Sequence, residues 1–248
     1  IRLIVYKAII TYVYHNCFIV EYKDLNLVFD FPEERFSPKP IYSLVKSRVE
    51  GKRTLFLASH HHWDHFSPKI YKLANYTKEY HVVLSYDIAE VYRVPRENTT
   101  IIHPGKTVMI FGCEIKAFES SDIGVAYLLH LDGLNIYHSG DLSNWARGTL
   151  PSEVNEKIVK IYYRALRELK RFTIDIAFIN AVPGINNWTG AIDFVKEVKP
   201  KLVAPMHLHG QTMYIKDFVK DLEKEGLAIN VFKYRDSGDT YVYVADSN

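Results

Sequence analysis

Residues 54–68 read TLFLASHHHWDHFSP, and how this stretch is read decides the fold. TLFLA, Thr54 to Ala58, is a short apolar run of the length a buried strand needs. Ser67-Pro68 opens a helix, with proline at a tolerated first-turn position. Between them lies His60-His61-His62-Trp63-Asp64-His65, which with gaps is H-x-H-x-D-H. Four side chains able to bind a metal thus fall within one loop. Imidazole and carboxylate are donors suited to zinc, iron or manganese. A purification tag would sit at a terminus and would not contain Trp-Asp. A buried loop of unpaired histidines and aspartate would be costly without a metal or partners.

Outward from this loop, the first half reads mostly as strands. Residues 3–14, 17–22 and Asn26 to Phe31 are rich in β-branched and aromatic residues, and Pro32 ends the third run. Ile41 to Val49 has helical spacing. Strands resume at His81–Leu84, Thr107–Phe111, Glu114–Phe118, Val125–Leu131 and Asn135–His138, with Asp132-Gly133 as a hairpin turn. The second half alternates. A helix runs from Pro151-Ser152 to about Arg171, with Val154, Ile158, Ile161, Ala165 and Leu169 as its apolar stripe. Strands at Ile174–Asn180 and Lys201–Met206 alternate with helices at Thr189–Val198 and Ile215–Glu225. Ile229–Tyr234 and Thr240–Val244 close the chain as strands. No internal repeat or linker interrupts the 248 residues, so a single domain over 1–248 is expected, with helices outside a strand core.

Lys plus Arg is 31 and Asp plus Glu is 29, a net charge of +2. That balance argues against a protein whose main business is gripping nucleic acid, which needs a basic excess. Composition is that of a soluble globular chain, 48% hydrophobic and 24% charged. No stretch of 18 uncharged residues exists, so no membrane span is expected, and no secretory signal is visible. Cys17 and Cys113 stand alone in strand-like runs and read as buried free thiols, which points to a reducing, cytoplasmic compartment.

The H-x-H-x-D-H loop, its strand–loop–helix setting, Gly140-Asp141 after a strand and Pro205-Met206-His207 at the end of another resemble the metallo-β-lactamase superfamily. Asp30 after an apolar strand and Pro104-Gly105 fit the same order. The short chain and the P-M-H ending look most like its stand-alone hydrolases, including ascorbate-phosphate lactonases. The resemblance implies a four-layer αββα sandwich. It implies that His60 and His62 hold one metal, that Asp64, His65 and His207 hold the other, and that Asp141 bridges them. Two divalent ions, zinc first, with manganese, iron or a single ion as alternatives, would share a water and make hydroxide available at neutral pH. Asp64 could relay its proton, so Asp64 and Asp141 are the expected catalytic residues.

One departure stands out. The family expects a third histidine for the first metal in the loop that here reads Glu119-Ser120-Ser121-Asp122-Ile123-Gly124. Asp122 is the best substitute and Ser121 a weaker one. Among the other histidines, His61 alternates out of the cluster, and His138 reads as a satisfied core residue. His15 and His209 could line the pocket or be structural. His81, His103 and His130 read as structural or surface residues. Asp30 either caps a turn or orients a ligand histidine. Trp63 is expected to pack under the metal loop. Trp145 and Trp188 lie in loops that either wall a pocket or simply pack, and Arg147 meets either solvent or an anionic group.

The resulting expectation is a metal-dependent hydrolase acting on a small ester, lactone or phosphoester. The alternatives are a nuclease of the same superfamily, which the near-neutral charge disfavours, and a non-catalytic metal-binding protein, which the missing histidine would favour. The expected partner is a small-molecule substrate. Oligomeric state is open.

Overall fold

The computed structural model describes residues 7–244, and positions 3–6 of the expected first strand lie outside the described residues. In chain order the elements are β1 (Lys7–Tyr14), β2 (Cys17–Tyr22), β3 (Leu25–Phe29), α1 (Ile41–Val49), β4 (Arg53–Ala58), α2 (Ile70–Ala74), β5 (Glu79–Ser85), α3 (Tyr86–Val91) and β6 (Thr99–Ile102). They continue as β7 (Thr107–Ile110), β8 (Cys113–Glu119), β9 (Val125–Leu131), β10 (Leu134–His138), α4 (Ser152–Leu169), β11 (Ile176–Asn180), the single turn α5 (Asn186–Thr189), α6 (Ala191–Val198), β12 (Leu202–Met206), α7 (Tyr214–Lys224), β13 (Asn230–Val231) and β14 (Thr240–Val244). The described residues divide into two units, those up to 102 together with those from 234 on, and residues 103–233.

Unit 1 is built on a seven-stranded sheet ordered β14-β1-β2-β3-β4-β5-β6. Pairings from β14 to β3 are antiparallel, and those from β3 to β6 are parallel. Helix α1 buries Ile41, Val45 and Val49, spaced by four. They join Val28, Phe56 and Val82 in one apolar cluster. Parallel strands buried by helices read as continuous apolar runs, which is why β4 has no alternation.

Unit 2 has its own seven-stranded sheet, ordered β13-β12-β11-β10-β9-β8-β7. Here too antiparallel pairings, β7 to β10, give way to parallel ones, β10 to β13. The two units therefore repeat one strand plan that the residues themselves do not repeat. Helix α4 buries Ile158, Ile161, Tyr162, Ala165, Leu166 and Leu169.

The structure corrects several sequence-based boundaries. Both halves, not only the second, alternate strands with helices, because α3 and β6 were too short to show a period. The helix expected over Thr189–Val198 begins only at Ala191, because Thr189 and Gly190 lie in the left-handed region at φ of 54° and 87°. Val154 leaves the α4 stripe and is 42% exposed, since the first turn of the helix borders a cavity. The strand expected at Ile229–Tyr234 pairs only at Asn230–Val231, as a short edge strand. Cys17 and Cys113 are buried free thiols, as expected. Among the described residues no helix is long and apolar enough to cross a membrane.

Candidate metal centre

In unit 1, the loop after β4 is held from beneath by two buried carboxylates. Asp30 follows β3 at a φ of 44°, a left-handed conformation that costs a non-glycine residue on the order of 1 kcal/mol. One of its oxygens accepts the Ser59 N–H at 2.7 Å. The other accepts the Ser59 hydroxyl at 2.7 Å and faces His65 Nδ1 at 2.8 Å. Asp87, in the first turn of α3, accepts the His61 N–H at 2.8 Å and lies 2.9 Å from His61 Nδ1. Asp30 and Asp87 are each 1% exposed.

These bonds fix the imidazole tautomers. A hydroxyl has one proton, and that of Ser59 goes to Asp30. Ser59 Oγ, 3.0 Å from His60 Nδ1, must therefore accept from it. Asp30, a pure acceptor when ionised, likewise requires a proton on His65 Nδ1. His60 and His65, both fully buried, thus turn the lone pair of Nε2 away from this network. Metal-ligating histidines are oriented in this way.

The neighbouring donors match. One ligand atom each of His60 and His62 lie within 4.8 Å of one another. Asp64 Oδ2 lies 3.8 Å from His65 Nε2 and 3.4 Å from His15 Nε2. Two donors on one tetrahedral ion stand roughly 3.3–3.6 Å apart. The spacing fits a shared cation, and the donor chemistry fits zinc, iron or manganese. Burial, and then the charge of Asp30, push the Cys17 thiol well above its ordinary range. Burial and then Asp64 likewise raise the Tyr14 phenol.

In unit 2, Asp141 follows β10 through Ser139-Gly140 and is 6% exposed. Its backbone is pinned on both sides. The Trp145 indole N–H donates to the Asp141 carbonyl at 2.7 Å, and Asn180 Nδ2 donates to that of Gly140 at 2.8 Å. His207 follows β12 at a φ of 63°, and its Nε2 stands 3.5 Å from Asp141 Oδ1. Ligand atoms of Asp122 and Asp141 lie within 4.8 Å of each other, as do those of His207 and His209. Ser121 is committed elsewhere, its hydroxyl donating to the Ser143 carbonyl at 2.6 Å and accepting the Ser143 N–H at 2.9 Å. A cavity of about 740 Å³ lies beside Asp122, Asp141 and His207.

Within its own unit, each expected ligand therefore has another beside it: His60 with His62 and Asp64 with His65 in the first, Asp122 and His207 with Asp141 in the second. His15, buried against Asp64, is part of the first group. His138 is a core residue whose Nδ1 accepts the Gly140 N–H at 3.2 Å. Trp63 departs from expectation. It is 54% exposed and stacks on Phe36 with the Arg35 guanidinium over its ring, rather than packing under the loop. Trp145 walls the cavity, whereas Trp188 packs on Phe218 and donates to Asp221. Sequence reasoning missed Ser59 and Asp87. Their role rests on what they meet in space, and neither spacing nor a motif marks it.

A family model described as a beta-lactamase superfamily domain matches residues 9–149. No curated protein matches the chain. Among solved structures, the chain is similar to Igni18, a metallo hydrolase from the hyperthermophilic archaeon Ignicoccus hospitalis, at 17% identity over 96% of this chain and 98% of that one, with a TM-score of 0.67. It is similar to the metallo-beta-lactamase fold protein YhfI from Bacillus subtilis at 12% identity, over 96% and 99% of the two chains, with a TM-score of 0.63. A third likeness is to CmlA, a diiron beta-hydroxylase from Streptomyces venezuelae, at 13% identity over 94% of this chain and 54% of that one, with a TM-score of 0.57. At these identities the likeness shows the fold, an α/β fold of the metallo-β-lactamase type, as the sequence led one to expect.

Proposed function

The chain belongs to the beta-lactamase superfamily, and from that premise we propose that it is a metal-dependent hydrolase acting on a small ester, lactone or phosphoester. The observation that carries the proposal is the pair of buried histidines, His60 and His65, whose Nδ1 protons are committed through Ser59 and Asp30. In this reading His60, His62 and Asp122 would hold one divalent ion, Asp64, His65 and His207 would hold a second, and Asp141 would serve both. Such ions supply Lewis acidity when bound, making a water nucleophilic near neutral pH and drawing charge from the substrate oxygen.

The chain's own groups do the remaining work. Asp30 holds the His65 ring in one tautomer and orientation. Asp64, a partly exposed carboxylate, takes the proton that the attacking water loses. Trp145 steadies Asp141 through its carbonyl, and the cavity beside Asp141 seats the substrate. Zinc suits the imidazole donors, while the carboxylate of Asp122 draws the first site toward manganese or iron. The partner is a small molecule, and two free thiols with a near-neutral charge fit a cytoplasmic protein.

The test joins turnover and metal content on the same samples, with a panel of lactones, phosphodiesters and thioesters. His62→Ala and Asp141→Ala should each abolish hydrolysis and lower bound metal while leaving the far-UV circular dichroism unchanged. Full turnover by Asp141→Ala overturns the bridging role. A second reading, a metal-binding protein without hydrolysis, is favoured by the absence of histidine from the loop Ser120–Gly124. It predicts bound metal and no turnover on any member of the panel.

A further inference from the structure

The cavity of unit 2 has a composition that hydrolysis as such does not require. Beside Asp122, Asp141 and His207 it is lined by an apolar set, Trp145, Leu150, Val154 and Ile158, and by two cations, Arg147 and Lys157. Some cations of unit 2 are ion-paired, Lys116 with Glu168, Arg164 with Glu119, Lys196 with Glu225 and Lys201 with Asp175, while others such as Lys160 and Arg167 are not, among the described residues. Among the described residues, Arg147 and Lys157 enter no ion pair. Against these two cations the cavity sets one further carboxylate, Glu153.

Arg147 is also held in place. Asn155, on the second turn of α4, accepts the Arg147 N–H at 2.9 Å and donates to the Arg147 carbonyl at 3.0 Å and the Leu150 carbonyl at 3.3 Å. Asn186 donates to the carbonyls of Asn144 and Ala146 on the other side. The loop that carries both the indole and the guanidinium is thereby fixed before any ligand arrives, which lowers the entropic cost of binding. A volume of about 740 Å³ suits a small organic molecule.

We infer that the cavity takes an amphiphilic oxyanion. Its apolar segment lies along Trp145, Leu150, Val154 and Ile158, and its carboxylate or phosphate end is received by Arg147 and Lys157. This deepens the hydrolase reading and rests on it for placing the scissile bond near Asp141. Guanidinium and ammonium both make charge-assisted hydrogen bonds to such groups. Removing both should weaken binding by roughly tenfold or more.

The test uses the whole protein and three probes that cannot turn over in an ester assay: hexanoate, hexyl phosphate and neutral hexanamide, each titrated calorimetrically into wild type and Arg147→Gln/Lys157→Gln. Both substituted residues are exposed, so the fold is not at stake. At least one anion should bind about tenfold tighter than hexanamide, and the stronger of the two assigns carboxylate or phosphate as the recognised end. The double variant should lose that preference while hexanamide binding stays unchanged. No preference in wild type overturns the inference. So does a preference that survives in the double variant, since the anion would then be held by Asp122, Asp141 and His207 through bound metal. Failure of every ester and lactone to turn over would remove the hydrolase reading, and this affinity comparison would still decide the cavity's ligand class.

Discussion

Asp30 shows how much one side chain can set. Its two oxygens receive three protons, from the Ser59 amide, the Ser59 hydroxyl and His65 Nδ1, at 2.7, 2.7 and 2.8 Å. Replacing it by asparagine keeps the shape and removes the charge. The amide also brings an NH₂ group where only an acceptor fits, so that either Ser59 or His65 loses its partner. The expected outcome is a 10–100-fold loss of metal affinity, measured by competition with a chelator, the range found when partners of ligand histidines are removed. Undiminished affinity would show that the ring is held by packing alone. The expected ligands could be read from sequence because four of them share one six-residue loop and two more end strands in short recognisable pairs, Gly140-Asp141 and Met206-His207. Ser59 and Asp87 could not be read, because a hydrogen bond across 26 residues, as from His61 to Asp87, leaves no trace in local spacing.

At the scale of elements, the same contrast separates what was legible from what was not. Helix α4 has 18 residues and a sustained apolar stripe, so its existence and its buried face followed from the pattern. Helix α3 and strand β6, of 6 and 4 residues, are too short to hold a period. The break before α6 spans Asn186 to Gly190, all at positive φ, and α4 holds its last residue. Tyr162 donates its hydroxyl to the Gly190 carbonyl at 2.7 Å, and a Cβ at position 190 would lie 2.5 Å from the Tyr162 ring. Gly190→Ala therefore combines a left-handed backbone penalty with overpacking against a buried ring. The expected destabilisation is about 3 kcal/mol, read as a lowered urea midpoint at unchanged slope. A midpoint within error of wild type would mean that Tyr162 swings away freely, which its hydrogen bond and its burial oppose.

For the whole molecule, the strand plan bears on cooperativity. Unit 2 is contained within unit 1 in sequence, because the chain returns after residue 233 to lay β14 antiparallel on β1. An inserted unit whose two ends are tied into another sheet is expected to open together with it, as one domain over residues 1–248. The two cysteines provide a reporter in each unit, Cys17 on β2 and Cys113 on β8, both fully buried. Burial, and then Glu114, push the Cys113 thiol up to about 12, so labelling at pH 8 requires exposure first. Exposure restores an ordinary thiol pKa near 8.5 and with it reactivity. Pulse alkylation across a urea series, with each cysteine quantified by mass spectrometry, should then give coincident transitions for Cys17 and Cys113. If Cys113 labels at clearly lower urea than Cys17, unit 2 opens while unit 1 still holds, and residues 1–248 unfold as two separate bodies.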